Sequence, residues 1–123
     1  MALDLSTMER AVLGALIRNN DQFTGISALI SEADFLHPAH RIIFRSIVEL
    51  AAGGYPFDVI AVTEWLDKHQ LLDEAGGLRF VGLLNVAMPT SPDINACVRQ
   101  IHNAARLRAM KDEANHGDGP NEL

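Results

Sequence analysis

Cysteine is almost missing from this chain. Cys97 is the only one in 123 residues, which excludes an internal disulfide and fits a reducing cytoplasm. No apolar run approaches the roughly 20 residues needed to span a bilayer, and no basic segment precedes an apolar one at the N-terminus, so neither an anchor nor a signal peptide is read. Basic charge is also short, with 10 Lys plus Arg against 16 Asp plus Glu and a formal net charge of −6. Non-specific DNA binding draws its affinity from cations that neutralise phosphates, so whole-surface nucleic-acid binding is excluded and only a local basic face stays open. No stretch alternates apolar and polar residues over a useful strand length, and no internal repeat occurs. A chain of this length, 48% hydrophobic and 21% charged, is ordinary material for one cytosolic domain with a real core.

Chemistry-bearing patterns are equally sparse. Gly53-Gly54 and Gly76-Gly77 are not followed by the Lys-Ser/Thr of a phosphate-cradling P-loop. His37 and His40 are three apart, but no second pair of ligands accompanies them, and a structural zinc needs four. His37 flanks Pro38 at a helix start, while His40 is predicted to pack near the core. Cys97 lies on the stripe Ile94, Cys97, Val98, Ile101, Ala104 and Ala105, where cysteine acts as a small buried hydrophobe. Asp73-Glu74 and Asp112-Glu113 read as solvated charge near element ends. No catalytic residue, cofactor or metal is predicted.

What the sequence does carry is a series of helix starts and stops. Ser6-Thr7-Met8-Glu9 reads as a capping box opening a helix that runs to about Arg18, with Gly14 in mid-helix pointing to a close helix contact. After Asn19-Asn20-Asp21 a short helix carries Phe23, Ile26, Leu29 and Ile30, ended by Asp34. Pro38 suits the first turn of the next helix, whose buried stripe is His40, Ile43, Phe44, Ile47, Leu50 and Ala51. Gly53-Gly54 stops it, and Asp58 caps a helix presenting Val59, Val62, Trp65 and Leu66 to the core. Leu71-Leu72 packs a connecting turn, and Gly76-Gly77 leads into a helix with Phe80, Val81, Leu83 and Leu84. Met88-Pro89-Thr90-Ser91-Pro92-Asp93 is a connection. The last helix spans about Ile94 to Lys111, and residues 112–123 read as a polar disordered tail. The prediction is an all-α bundle of five to six helices over residues 1–111.

Asp34-Phe35, His40-Arg41-Ile42-Ile43-Phe44, Gly54-Tyr55-Pro56-Phe57-Asp58, Leu66 and Gly76-Gly77, with Glu9, Leu13 and Gly14 before them, occur in a fixed order. From about Thr7 to Met110 this order resembles the N-terminal domain of DnaB-type replicative helicases of bacteria and phages. The resemblance implies a helical globule followed by a helical hairpin, assembled from dimers into a collar that supports an ATPase ring and docks primase and helicase loaders. It makes the last helix the first arm of that hairpin, with the second arm missing after Met110, in an excised domain or a stand-alone relative.

The last helix holds the candidate partner surface. Arg99, His102 and Arg106 recur at i, i+3 and i+7 as a basic ridge, with Arg108 and Lys111 nearby. Cations near a helix C-terminus are also expected from the macrodipole alone. Leu107 and Met110 lie off the apolar stripe and stay exposed unless another helix covers them. The principal expectation is a non-catalytic interaction module of DNA replication, docking primase, a helicase loader or a helicase subunit, and self-associating as a dimer in preference to a closed hexamer. The alternatives are a small nucleic-acid-binding regulator using the basic ridge and an enzyme with a cryptic site.

Overall fold

A computed structural model describes residues 4–86 and 93–118, with side chains described to Glu113. Six α-helices occur in the order α1 (Leu5–Arg18), α2 (Phe23–Ser27), α3 (Pro38–Ala52), α4 (Val59–Lys68), α5 (Gly77–Leu83) and α6 (Ile94–Asp118). Short 3₁₀ turns at Asn20–Gln22 and Glu32–Asp34 flank α2, and no strand occurs among the described residues. The Met88–Pro92 part of the predicted connection and residues 119–123 of the predicted tail lie outside the described residues.

One core serves all six helices. Leu13 and Leu16 of α1, Ile43, Phe44 and Ile47 of α3, Leu66 of α4, Val81 of α5 and Val98 and Ile101 of α6 are fully buried together with Phe35 from the α2–α3 connection. The Phe44 ring packs 5.0 Å from Phe35 and 6.4 Å from Phe23, centroid to centroid. The first half of α6 lies along α1, so the last helix of the chain closes the core begun by the first.

Local signals explain most of the helix ends. Pro38 occupies the first turn of α3, where its missing amide proton costs no hydrogen bond. The helix stops at Gly53, and Gly54 adopts φ +78°, a left-handed conformation that glycine enters without a Cβ clash. Asp58 Oδ1 accepts from the Ala61 amide at 2.8 Å and caps α4, whose Leu66 is fully buried while Trp65 is half-buried and stacked on His69. Gly14 meets the expected close contact: a Cβ there would lie 2.5 Å from the Leu84 carbonyl oxygen, so α1 and the end of α5 touch backbone to backbone.

Three expectations are corrected. The cap of α1 is Asp4, whose Oδ1 accepts from the Thr7 amide at 2.8 Å; Ser6 lies inside the first turn and Glu9 is wholly buried, so there is no capping box at Ser6–Glu9. Leu29 falls beyond the end of α2 and is 54% exposed. Leu83 does fall in α5, as expected, on its outer side and 58% exposed. The helix boundary drawn at Lys111 is too early, because α6 continues to Asp118; neither proline nor glycine interrupts the chain before Gly117, and polarity alone does not end a helix.

Candidate interaction surface

The face of α6 turned away from the core follows from helix geometry. At about 100° per residue, Arg99, His102, Arg106, Leu107 and Met110 fall within an arc of about 140°, opposite the stripe of Cys97, Val98 and Ile101 that packs on α1. Arg99 and Arg106 are exposed, and Leu107 and Met110 are 62% and 59% exposed. Ala109, Lys111, Asp112 and Glu113 are exposed as well. Two large apolar side chains flanked by two guanidinium groups therefore sit in water on one helix face.

The ridge is less uniform than its spacing suggests. His102 is only half-exposed, and its buried Nδ1 lies 3.5 Å from Asp34 Oδ2, close but without a hydrogen bond. Arg108 turns inward and donates from Nη2 to the Asp34 carbonyl oxygen at 3.0 Å. Asp34 is thus a junction: its Oδ2 also accepts from the Ser31 amide at 3.1 Å, fixing the 3₁₀ turn on which α6 rests. Of the cations on α6, Arg108 belongs to the fold and His102 is drawn partly into it. Arg99 and Arg106 remain outward.

A polar site that sequence reasoning missed lies inside the globule. Glu9 Oε2 accepts from the Leu36 amide at 2.6 Å, and Oε1 accepts from the His37 amide at 3.4 Å and meets His40 Nδ1 at 2.7 Å. The carboxylate of α1 thereby satisfies amides at the start of α3, where no local side chain caps the helix, and it lies where the helix dipole favours negative charge. Burial alone would push the Glu9 carboxyl up, but the hydrogen bonds from His40, Leu36 and His37 outweigh it and hold the group below the ordinary glutamate range. An ionised carboxylate can only accept, so His40 Nδ1 carries the shared proton. His40 itself stacks on Phe80 at 5.8 Å. The arrangement ties three segments together and leaves no open position for a substrate.

Asn20 makes a second tie. Its Nδ2 donates to the Leu16 carbonyl at 2.9 Å, and its Oδ1 accepts from the Phe57 amide at 3.0 Å, fastening the end of α1 to the connection before α4. Cys97 is buried, and burial together with the Asp93 carboxylate pushes its thiol up, which suppresses the thiolate a nucleophile needs. Among the described residues, no group of three or more His, Cys, Asp or Glu could hold a metal, and no helix is long and apolar enough to cross a membrane.

The model of the DnaB-like helicase N-terminal domain matches residues 3–103. The replicative DNA helicase DnaB of Buchnera aphidicola subsp. Baizongia pistaciae is 31% identical over 107 residues, 87% of this chain and 23% of that protein. The corresponding helicase of Geobacillus stearothermophilus is 30% identical over 102 residues, covering 83% of this chain and 22% of the relative. This chain therefore spans under a quarter of the length of these relatives. The crystal structure of the N-terminal domain of DnaB helicase from Mycobacterium tuberculosis superposes with a TM-score of 0.83 at 25% identity, over 90% of this chain and 79% of the other. The N-terminal domain of the Helicobacter pylori DnaB helicase, a structure described together with its interactions with primase, matches in fold with a TM-score of 0.77 at 23% identity, over 91% of this chain and 87% of that one.

Proposed function

This chain belongs to the DnaB-like helicase N-terminal domain family, a non-catalytic domain of replicative helicases, and from that premise we propose that it works by docking replication proteins on the outer face of α6. The partners are a primase, a helicase loader or a helicase subunit, in the cytoplasm. The observation that carries this reading is the pairing of exposed Leu107 and Met110 with outward Arg99 and Arg106 on a helix face that the core does not use. Exposed apolar groups on such a face supply affinity, and the cations beside them supply steering and register. The same apolar pair supports self-association, with a dimer favoured.

The nucleic-acid reading has weaker support. A DNA-binding ridge needs several cations free to reach phosphates, and Arg108 is bonded to the fold at Asp34 while His102 is partly withdrawn. Direct nucleic-acid binding is therefore expected to be weak or absent.

The test is a variant with Arg99, Arg106, Leu107 and Met110 all replaced by serine. It should lose capture of the purified primase, loader and replicative helicase of the source cell while keeping the helical spectrum and melting transition of the parent. Undiminished binding by the variant would place the docking surface elsewhere. If the parent binds none of these proteins, the replication-docking reading fails.

A further inference from the structure

We propose that the cavity between α1 and the end of α5 is a second docking site, one that takes an acidic peptide segment through a single aliphatic or aromatic anchor. The cavity has a volume of ≈ 140 Å³ and is lined by Thr7, Arg10, Ala11, Arg18, Phe80, Leu83, Leu84 and Val86. A dry apolar cavity of about 150 Å³ holds a benzene-sized group, so this one suits one side chain and is too small for a typical small-molecule ligand of several hundred Å³. Ala11 and Leu84 are buried at its base. Leu83 and Val86, 58% and 62% exposed, form an apolar rim with no cover among the described residues.

The charge at the mouth selects the partner. The two ionised side chains lining the cavity are both arginines, in a chain whose formal net charge is −6. Their hydrogen bonds go to uncharged oxygens: Arg10 to the Ser6 carbonyl and Thr7 Oγ1, Arg18 to the carbonyls of Leu84 and Val86. Asp4 accepts from the Thr7 amide, and hydrogen bonding to Thr7 is the main reason its carboxyl is held down, with nearby Arg10 adding a smaller pull. Each guanidinium has five N–H donors in a planar fork that matches a carboxylate, and most of them find no partner among the described residues. Leu84 is brought to this point by the backbone contact at Gly14, which also places its carbonyl within reach of Arg18. The site is therefore an apolar hole between two guanidinium groups with donors to spare. An anchor residue flanked by glutamates or aspartates complements it.

This docking site is independent of the α6 face, and each can fail without the other. The probe is a capped synthetic peptide, Glu-Glu-Leu-Glu-Glu, titrated into the isotope-labelled full chain and followed by amide chemical shifts. Saturable shifts are expected at Thr7, Ala11, Leu83 and Leu84, weakening as salt is added. Arg10→Glu should weaken binding by about tenfold or more, because it sets like charges against each other. Replacing the peptide's leucine by serine should abolish binding. Arg10 and Leu83 are exposed, so Arg10→Glu and Leu83→Ser preserve the fold, and a parental amide spectrum checks this. The proposal is overturned if no saturable shift appears at millimolar peptide, if the peptide with lysines in place of its glutamates binds as well, or if Arg10→Glu binds unchanged. It is equally overturned if single-stranded DNA produces the same shifts with the same affinity. A change of sedimentation from dimer to monomer on Leu83→Ser would also overturn it, assigning the cavity to a contact between two copies of the chain.

Discussion

The two halves of α6 share one backbone helix and little else. From Ile94 to Ala105 the helix carries Cys97, Val98 and Ile101 into the core against α1. From Arg106 onward it offers Leu107 and Met110 to water among charged neighbours, while Arg108 reaches back to Asp34. Burial of apolar area stabilises a fold at about 25 cal/mol per Å², so the first half is held by the globule. The second half gains nothing comparable from its exposed leucine and methionine. Residues that do not stabilise their own domain are available to stabilise a complex, and that difference supports the proposed docking surface better than the basic spacing does.

The largest loss of stability is expected outside α6, at Glu9, whose bonds hold the globule that the first half of α6 packs on. Glu9→Ala removes the acceptor for two amides and His40, and should cost about 3–5 kcal/mol, as for a buried pair that loses one partner. Because the Glu9 carboxyl is lowered in the fold, its contribution is complete above the ordinary glutamate range and is lost as pH falls through the lowered folded value. Glu9→Gln should therefore flatten the acid limb of a stability–pH curve measured by urea denaturation, and an unchanged limb would show that Glu9 does not drive it. Ile101→Ala, in the buried half of α6, should cost about 2–5 kcal/mol through lost burial and a cavity, read as a lower denaturation midpoint. Asp58→Ala should cost ~1 kcal/mol through the lost cap of α4, measurable in the same assay. The smallest effect is expected in the outer half of α6. Leu107→Ser with Met110→Ser should change stability by less than about 0.5 kcal/mol while weakening self-association in sedimentation. A large loss of stability there would mean that the two halves are not distinct.

Much of this fold was legible because local chemistry and global packing agree. Pro38, Asp58 and Gly54 do in the structure what their residue types favour, and Gly14 marks a backbone contact whose partner, Leu84, no local pattern could supply. Glu9 was misread because a glutamate three residues after a serine has a common local use. Its actual partners are 27, 28 and 31 residues away, beyond the reach of any spacing rule. Asn20 is a similar case: an asparagine in a helix-breaking run reads as a turn, yet its side chain fastens Phe57 from 37 residues away. Leu29 was placed in the short helix with Phe23 and Ile26, but that helix ends at Ser27 and Leu29 lies exposed beyond it. Of the proposed docking surface, the residue types and the helix face were readable from periodicity. The capture of Arg108 and the partial withdrawal of His102 were not, since both depend on where the Asp34 turn meets α6.

The packing of α6 along α1 also has a consequence for how the protein is made. α1 shares its core with Val98 and Ile101 of α6, which packs along it and follows it only after more than 70 residues of chain, from Arg18 to Ile94. At roughly 5–20 residues per second of synthesis, the first helix waits several seconds on the ribosome with that face in water. During that interval the apolar stripe of α1 lacks the cover that α6 later supplies. The order of the helices along the chain thus sets a window in which this small domain is open to capture before it can close on itself.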